Sequence, residues 1–223
     1  MPEPGGPLLL RFPFRGRWLA QNSPADRVPS HGVDALGQRY AIDFVAVDDR
    51  DRSAPRTLRS LVAAEPPESF VGFGRPILAP VSGTIRACHD GEEDHAARRS
   101  PITLIPYALS QTSRARAGIG AVAGNHVVIA AGPSGPYVLL AHLRKGSIRV
   151  RPGQLVASGT PIAQCGNSGN STEPHVHVQA TDSADWFRAN GLPITFSVDP
   201  TSSADPKGGT GWLPRNREPF VVD

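Results

Sequence analysis

Apolar residues in this chain come in short runs cut by Gly, Pro, Asn and Ser, which predicts strands joined by turns rather than a helical protein. Residues 7–20, around Phe12, Phe14 and Trp18, predict one short strand packed on the main body. A polar loop carrying His31 follows at 21–38, and then a β-rich run, Tyr40-Ala-Ile-Asp-Phe-Val-Ala-Val47, interrupted by Asp43. The stretch 48–69 reads as a surface excursion with a helical turn or two at 58–64. Residues 76–87 predict two short strands across a Pro-Val-Ser-Gly turn. Residues 90–116 form an insertion or a rim, because loops of that length are uncommon in compact domains. Strands are expected at Gly124–Ala130, Tyr137–His142 and Leu155–Cys165, the last broken at Ser158-Gly159. A long polar turn, Gly166–Pro174, leads into an alternating strand, His175–Ala180. A short helix is expected at 184–190 and an irregular tail at 201–216. The pieces 79–85 and 156–162 resemble each other and suggest a repeated strand-turn unit. No low-complexity linker divides the chain, so a single domain over 1–223 is expected, with its core at about 30–180.

Composition agrees with that pattern. Gly and Pro number 23 each, which disfavours long helices, while 39% hydrophobic residues suffice for a core. The net charge is +3 and the basic residues, all arginines but Lys145 and Lys207, are spread out. No dense basic stripe with interleaved aromatics suggests nucleic acid as a partner. No apolar run approaches the roughly 18 residues of a membrane helix, so no membrane insertion is expected. The first twelve residues lack the basic start and apolar core of an export signal, so none is expected there. Cys88 and Cys165 match no metal-binding spacing and are expected to be buried free thiols.

Candidate chemistry lies in the seven histidines, His31, His89, His95, His126, His142, His175 and His177. Side chains two apart on a strand share a face, so His175 and His177 stand side by side. That suits one as a metal ligand and the other as an acid or base, but equally two polar strand residues. A hydrolytic zinc needs three protein ligands and one open position. Asp43 is a second candidate, since a carboxylate within an apolar strand needs a partner, either a metal or an arginine. His31, in the loop just upstream, is a third, or an exposed loop histidine. His142 ends an apolar strand, projecting into a cleft or bonding a backbone carbonyl. His126 reads equally as a packing residue.

The segment Gly166-Asn-Ser-Gly-Asn-Ser-Thr-Glu-Pro-His-Val-His177 resembles the C-terminal signature of the lysostaphin/LytM-type zinc metallopeptidases. Tyr137-Val-Leu-Leu-Ala-His-Leu143 resembles their central Tyr-x-x-x-x-His-Leu strand. Val150–Ile162, Ala79–Ile85 and Gly124–Ile129 resemble the connecting strand-turn pieces, so the likeness covers about 30–179. It departs at the first metal motif, His-x-x-x-Asp, where Arg39 stands four residues before Asp43 and cannot bind zinc. The resemblance implies one zinc ion held by Asp43, His177 and a looped-out His31, with Asp34 a competing carboxylate. His142 and His175 are implied as acid/base residues, and Asn125 as a lining residue of the cleft. It also implies a mainly β fold, an antiparallel sheet or barrel-sandwich hybrid with a zinc groove and short helical pieces in loops. The implied substrate is the peptide of bacterial cell-wall peptidoglycan, and the implied location the envelope or the medium. A non-catalytic wall-binding or hydrolase-regulating relative is the alternative. A biotinyl or lipoyl carrier ranks last, because neither lysine falls in the matching pieces.

Overall fold

The structure is a computed structural model, which describes residues 6–57, 60, 63–99, 119–197 and 211–223. The described strands are β1 (Leu8–Arg11), β2 (Gly16–Gln21), β3 (Ile42–Ala46), β4 (Pro76–Leu78), β5 (Gly83–His89), β6 (Asn125–Ala130) and β7 (Tyr137–Leu143). They continue with β8 (Leu155–Val156), β9 (Pro161–Gln164), β10 (Val176–Thr181), β11 (Gly191–Leu192), β12 (Ile194–Ser197) and β13 (Pro219–Val222). A five-residue helix, α1 (Ile119–Ala123), precedes β6. The expected mainly β, antiparallel class holds. The large sheet runs β13-β2-β3-β10-β7-β6-β5-β8 with β11 beside β10, and it does not close into a barrel.

Asp43 and its neighbours owe their position to strand alternation. Ile42, Phe44 and Ala46 of β3 enter the main core with Val176, Val178 and Ala180 of β10. Aromatic rings fill that core: Phe14 stacks on Trp18 with centroids 4.1 Å apart, and Phe44 meets Phe14 edge-on at 5.0 Å. The opposite face bears Asp43, His177 and Gln179, beside a small apolar patch of Ala123, Val128, Leu139 and Ala141. Both faces of the central strands are covered, which is why β3 reads as an almost continuous apolar run.

The two similar sequence pieces pair crosswise. β4 runs antiparallel to β9 and β5 to β8, while Ala79 N–H bonds Thr160 O and Gly159 N–H bonds Ala79 O, both at 2.8 Å.

Three expectations need correction. Residues 7–20 form two strands, because Pro13 between them has no N–H for a ladder. Residues 184–190 form a turn instead of a helix. There the Asp182 carboxylate accepts from Asn190 N–H at 2.8 Å and from its side-chain amide at 2.7 Å, closing a loop that competes with helix bonding. The tail contributes β13, whose Phe220 enters the aromatic core. The expected helical turn at 58–64 falls largely on residues outside the described ones, as do 100–116 of the expected rim and 201–210 of the tail. Cys165 is a buried free thiol, and Cys88 is free but only half-buried.

The polar turn 166–175 is pressed against the start of β6 through two glycines in the left-handed region, Gly124 (φ +62°) and Gly169 (φ +68°). A Cβ on Gly169 would stand 2.3 Å from Gly124 N, and one on Gly124 would stand 2.5 Å from Ser168 Oγ. Gly169→Ala is therefore expected to cost about 1–3 kcal/mol from overpacking in addition to the backbone strain. Gly159→Ala, also left-handed (φ +86°) but with open space around it, should show the strain alone, about 1 kcal/mol. Chemical denaturation of both variants checks the difference. Equal costs would show that the close approach is not what selects Gly169.

Candidate metal centre

Four adjacent strands place a row of residues in register, Gln21 on β2, Asp43 on β3, His177 on β10 and Ala141 on β7. Directly opposed residues of antiparallel strands share a face, so Asp43 and His177 meet side by side. His177 Nδ1 is 2.8 Å from Asp43 Oδ1. His175, just before β10, brings Nε2 to 3.7 Å from the same oxygen. The expected pairing of two histidines on one strand face is thus present, and it extends to Gln179.

His31 reaches the same carboxylate from the loop between β2 and β3, with Nε2 3.1 Å from Asp43 Oδ2 across the twelve-residue separation. The loop is tied down locally. Ser30, fully buried, donates its N–H to Arg39 O at 3.0 Å, and Arg27 Nε donates to Ser30 O at 3.0 Å. Asp34, the competing carboxylate, is paired with Arg39 on the exposed surface and is not brought to the cluster.

His142 arrives by a different device. Between the pairs Asn125↔Leu143 and Val127↔Leu140, β7 carries one residue more than β6. This bulge puts His142 in the left-handed region (φ 61°), at a cost of about 1–2 kcal/mol for a non-glycine residue. The ring, buried, lies with its centroid 4.6 Å from that of His175 and 5.9 Å from that of His177.

The hydrogen-bond network assigns the tautomer of each ring. Ser30 Oγ donates to Gln38 O, so at 3.0 Å it accepts from His31 Nδ1–H. His142 Nδ1–H donates to Ser168 O at 2.9 Å. His175 Nδ1–H donates to Glu173 O at 2.8 Å, and Ser171 Oγ, itself donating to that carbonyl, lies 2.9 Å away. His177 Nε2–H donates to Gln179 Oε1 at 2.9 Å, and the Gln179 amide donates to Leu36 O at 2.9 Å. Each ring is therefore held by one nitrogen, leaving the other to face the cluster, as a donor to Asp43 when the ring is charged or with a lone pair for a metal when it is neutral.

The electrostatics follow from burial and proximity. Burial alone would push the Asp43 carboxyl up, but the charges of His31 and His175 and hydrogen bonds from His177 and His31 hold it well below the usual carboxylate range. Asn22 adds a side-chain amide donor 2.7 Å from Asp43 Oδ2. His142 is pushed well below the usual imidazole value, by burial first and by His175 and His177 next, so it is a neutral base near pH 7. His177 is raised, because its bond and charge contact with Asp43 outweigh burial.

His31, Asp43 and His177 each present one donor atom within 4.8 Å of the others. Among the described residues this is the group of three or more His, Cys, Asp or Glu able to hold an ion, and two imidazoles with one carboxylate suit zinc or a similar divalent metal. Asn125 has a different setting. It is fully buried, and its amide serves the backbone: Oδ1 accepts from Gly91 and Glu92 N–H at 2.8 Å each, and Nδ2 donates to Glu92 O and Leu143 O. His126 bonds Gly124 O at 2.7 Å and packs near His89, and His95 bonds Gly169 O at 2.9 Å. Sequence reasoning missed Gln179 and Asn22. The alternation that joined His175 to His177 extends to Gln179, but nothing local marks Asn22, whose partner is 21 residues away.

Residues 107–189 match the profile of Peptidase family M23, a span that contains His142, His175 and His177. An uncharacterized metalloprotease of Haemophilus influenzae is 30% identical over 146 residues, covering 64% of this chain. The chain spans about a quarter of that relative, 26% of its length. The catalytic domain of a mutant of the prophage-encoded M23 protein EnpA from Enterococcus faecalis is 18% identical, with a TM-score of 0.39 and coverage of 69% of this chain and 73% of that one. The catalytic domain of the antimicrobial peptidase lysostaphin from Staphylococcus simulans gives 18%, 0.39, 68% and 74%. The family match runs from ahead of the His142 strand through the Pro-His-Val-His segment, so this part of the chain is similar to peptidase family M23.

Proposed function

We propose that this chain is a zinc-dependent endopeptidase acting on the peptides of bacterial cell-wall peptidoglycan. One observation carries the reading. His31 Nε2 and His177 Nδ1, each ring held through its other nitrogen, converge on a single buried carboxylate at 3.1 and 2.8 Å. A divalent ion shared by all three groups would take the place of the protons that otherwise hold these nitrogens to the carboxylate. The donor set fits zinc, with three protein ligands and a position left for a reactant. The peptidoglycan substrate is supported by the resemblance of Tyr137–Leu143 and Gly166–His177 to lysostaphin/LytM-type enzymes.

When bound, the ion supplies Lewis acidity, polarising a scissile carbonyl and making water acidic enough to attack near neutral pH. The protein's own residues do the rest. Neutral His142, anchored through Nδ1 on Ser168 O, has Nε2 free to take a proton from the attacking water and deliver one to the leaving amine. His175, anchored through Nδ1 on Glu173 O, presents Nε2 beside it to carry a proton toward the charge that develops on the carbonyl oxygen. Burial of both rings excludes competing water hydrogen bonds from this side of the site.

The folded protein is expected to take up one zinc per chain, measured by elemental analysis. A chelator should abolish hydrolysis of peptidoglycan peptides, and zinc should restore it. His177→Ala and His31→Ala should lose zinc and activity together, whereas Asp34→Ala should keep both. A folded protein that takes up no zinc would sink the enzyme reading and leave the wall-binding one.

His142→Ala should keep zinc at wild-type stoichiometry and slow turnover by about 10²–10⁴-fold, the usual worth of a positioned acid/base group. Wild-type turnover in that variant would remove His142 from the chemistry.

A further inference from the structure

Gln179 makes bonds that the proposed zinc chemistry does not by itself require. It is 2% exposed and shares a strand face with His175 and His177. A carboxamide has one oxygen that accepts and one nitrogen that donates, and the bonds of Gln179 use each once. Its nitrogen donates to Leu36 O, a carbonyl that can only accept, so its oxygen is turned toward His177 Nε2. The ring must then carry its hydrogen on Nε2, which leaves Nδ1 as the donor atom facing Asp43.

The second bond reaches the loop that carries His31. Leu36 sits in the left-handed region (φ 55°), a conformation that a branched residue adopts only when its surroundings impose it. His31 is borne on that loop rather than on a strand, and the Leu36 bond ties the loop to β10 in addition to its local bonds at Ser30.

We infer that Gln179 is a positioning residue that couples the two histidine ligands, fixing Nδ1 of His177 as the coordinating atom and tethering the His31 loop through Leu36. This rests on the zinc reading and adds to it a route by which order at one ligand supports the other. Neither bond touches substrate, so Gln179 acts through its neighbours. Loss of such outer bonds typically weakens metal binding by about 10–100-fold.

The experiment measures zinc affinity of the folded chain by competition with a chromophoric chelator, alongside the denaturation midpoint of the chelated protein. Gln179→Leu should bind zinc about 10–100-fold more weakly than wild type. Gln179→Glu, which can accept from His177 Nε2–H but cannot donate to Leu36 O, should fall between the two. A merely structural role would lower the midpoint and leave zinc affinity unchanged, and that result overturns the inference. Should Gln179→Leu fail to fold, Gln179→Glu decides: affinity below wild type is expected, and wild-type affinity overturns the tether. If the wild-type protein binds no zinc, the zinc reading itself fails and this inference falls with it. If wild type binds zinc and both variants match it, only this inference fails.

Discussion

A carboxylate in the middle of an apolar strand sets the terms for everything around it. Asp43 is 6% exposed, and its charge there is tolerated only because four side chains are turned toward it: His31 and Asn22 at one oxygen, His177 and His175 at the other. Removing such a charge from water costs several kcal/mol unless partners repay it. The histidines repay it in part, and each is in turn oriented by an acceptor on its far nitrogen. That outward chain of bonds, from the carboxylate to the rings and on to Ser30, Ser168, Glu173 and Gln179, gives the site its rigidity.

The rest of the fold places those acceptors. Ser168 O and Glu173 O belong to the polar turn after β9, which closes on the start of β6 at the Gly124–Gly169 contact. Asn170 N–H bonds Val122 O at 2.9 Å at the same place. The crosswise pairing of β4 with β9 and β5 with β8 fixes where that turn begins. On the other side of the sheet, the aromatic core around Phe14, Trp18 and Phe44 locks the register of β2 with β3, and so the position of Asp43 beside His177.

Much of this was legible in the chain. The breaks at Ser158-Gly159 and at the Pro-Val-Ser-Gly turn fall where strands end, because Gly and Pro punctuate locally. The helix expected at 184–190 failed because Asp182 and Asn190 close a side-chain loop, a competition that composition does not reveal. β13 escaped notice because β2, its sheet neighbour among the described residues, lies nearly the whole chain away.

For the site, period-two alternation by itself put His175 and His177 on one face, and an isolated acid in an apolar run marked Asp43 as needing a partner. Both are properties of a few neighbouring residues and so are written locally. What brings His31 to Asp43, in place of Asp34 or the Arg39 that stands at the expected spacing, is the path of a loop held by local bonds at Ser30 and a distant one at Leu36. The bulge that turns His142 inward, the carbonyls that choose each tautomer and the tie through Gln179 likewise depend on strands paired across long separations. Sequence sets which donor atoms are available and which share a face. Only the assembled sheet decides which of them meet, since that distance is fixed by register and loop closure rather than by spacing along the chain.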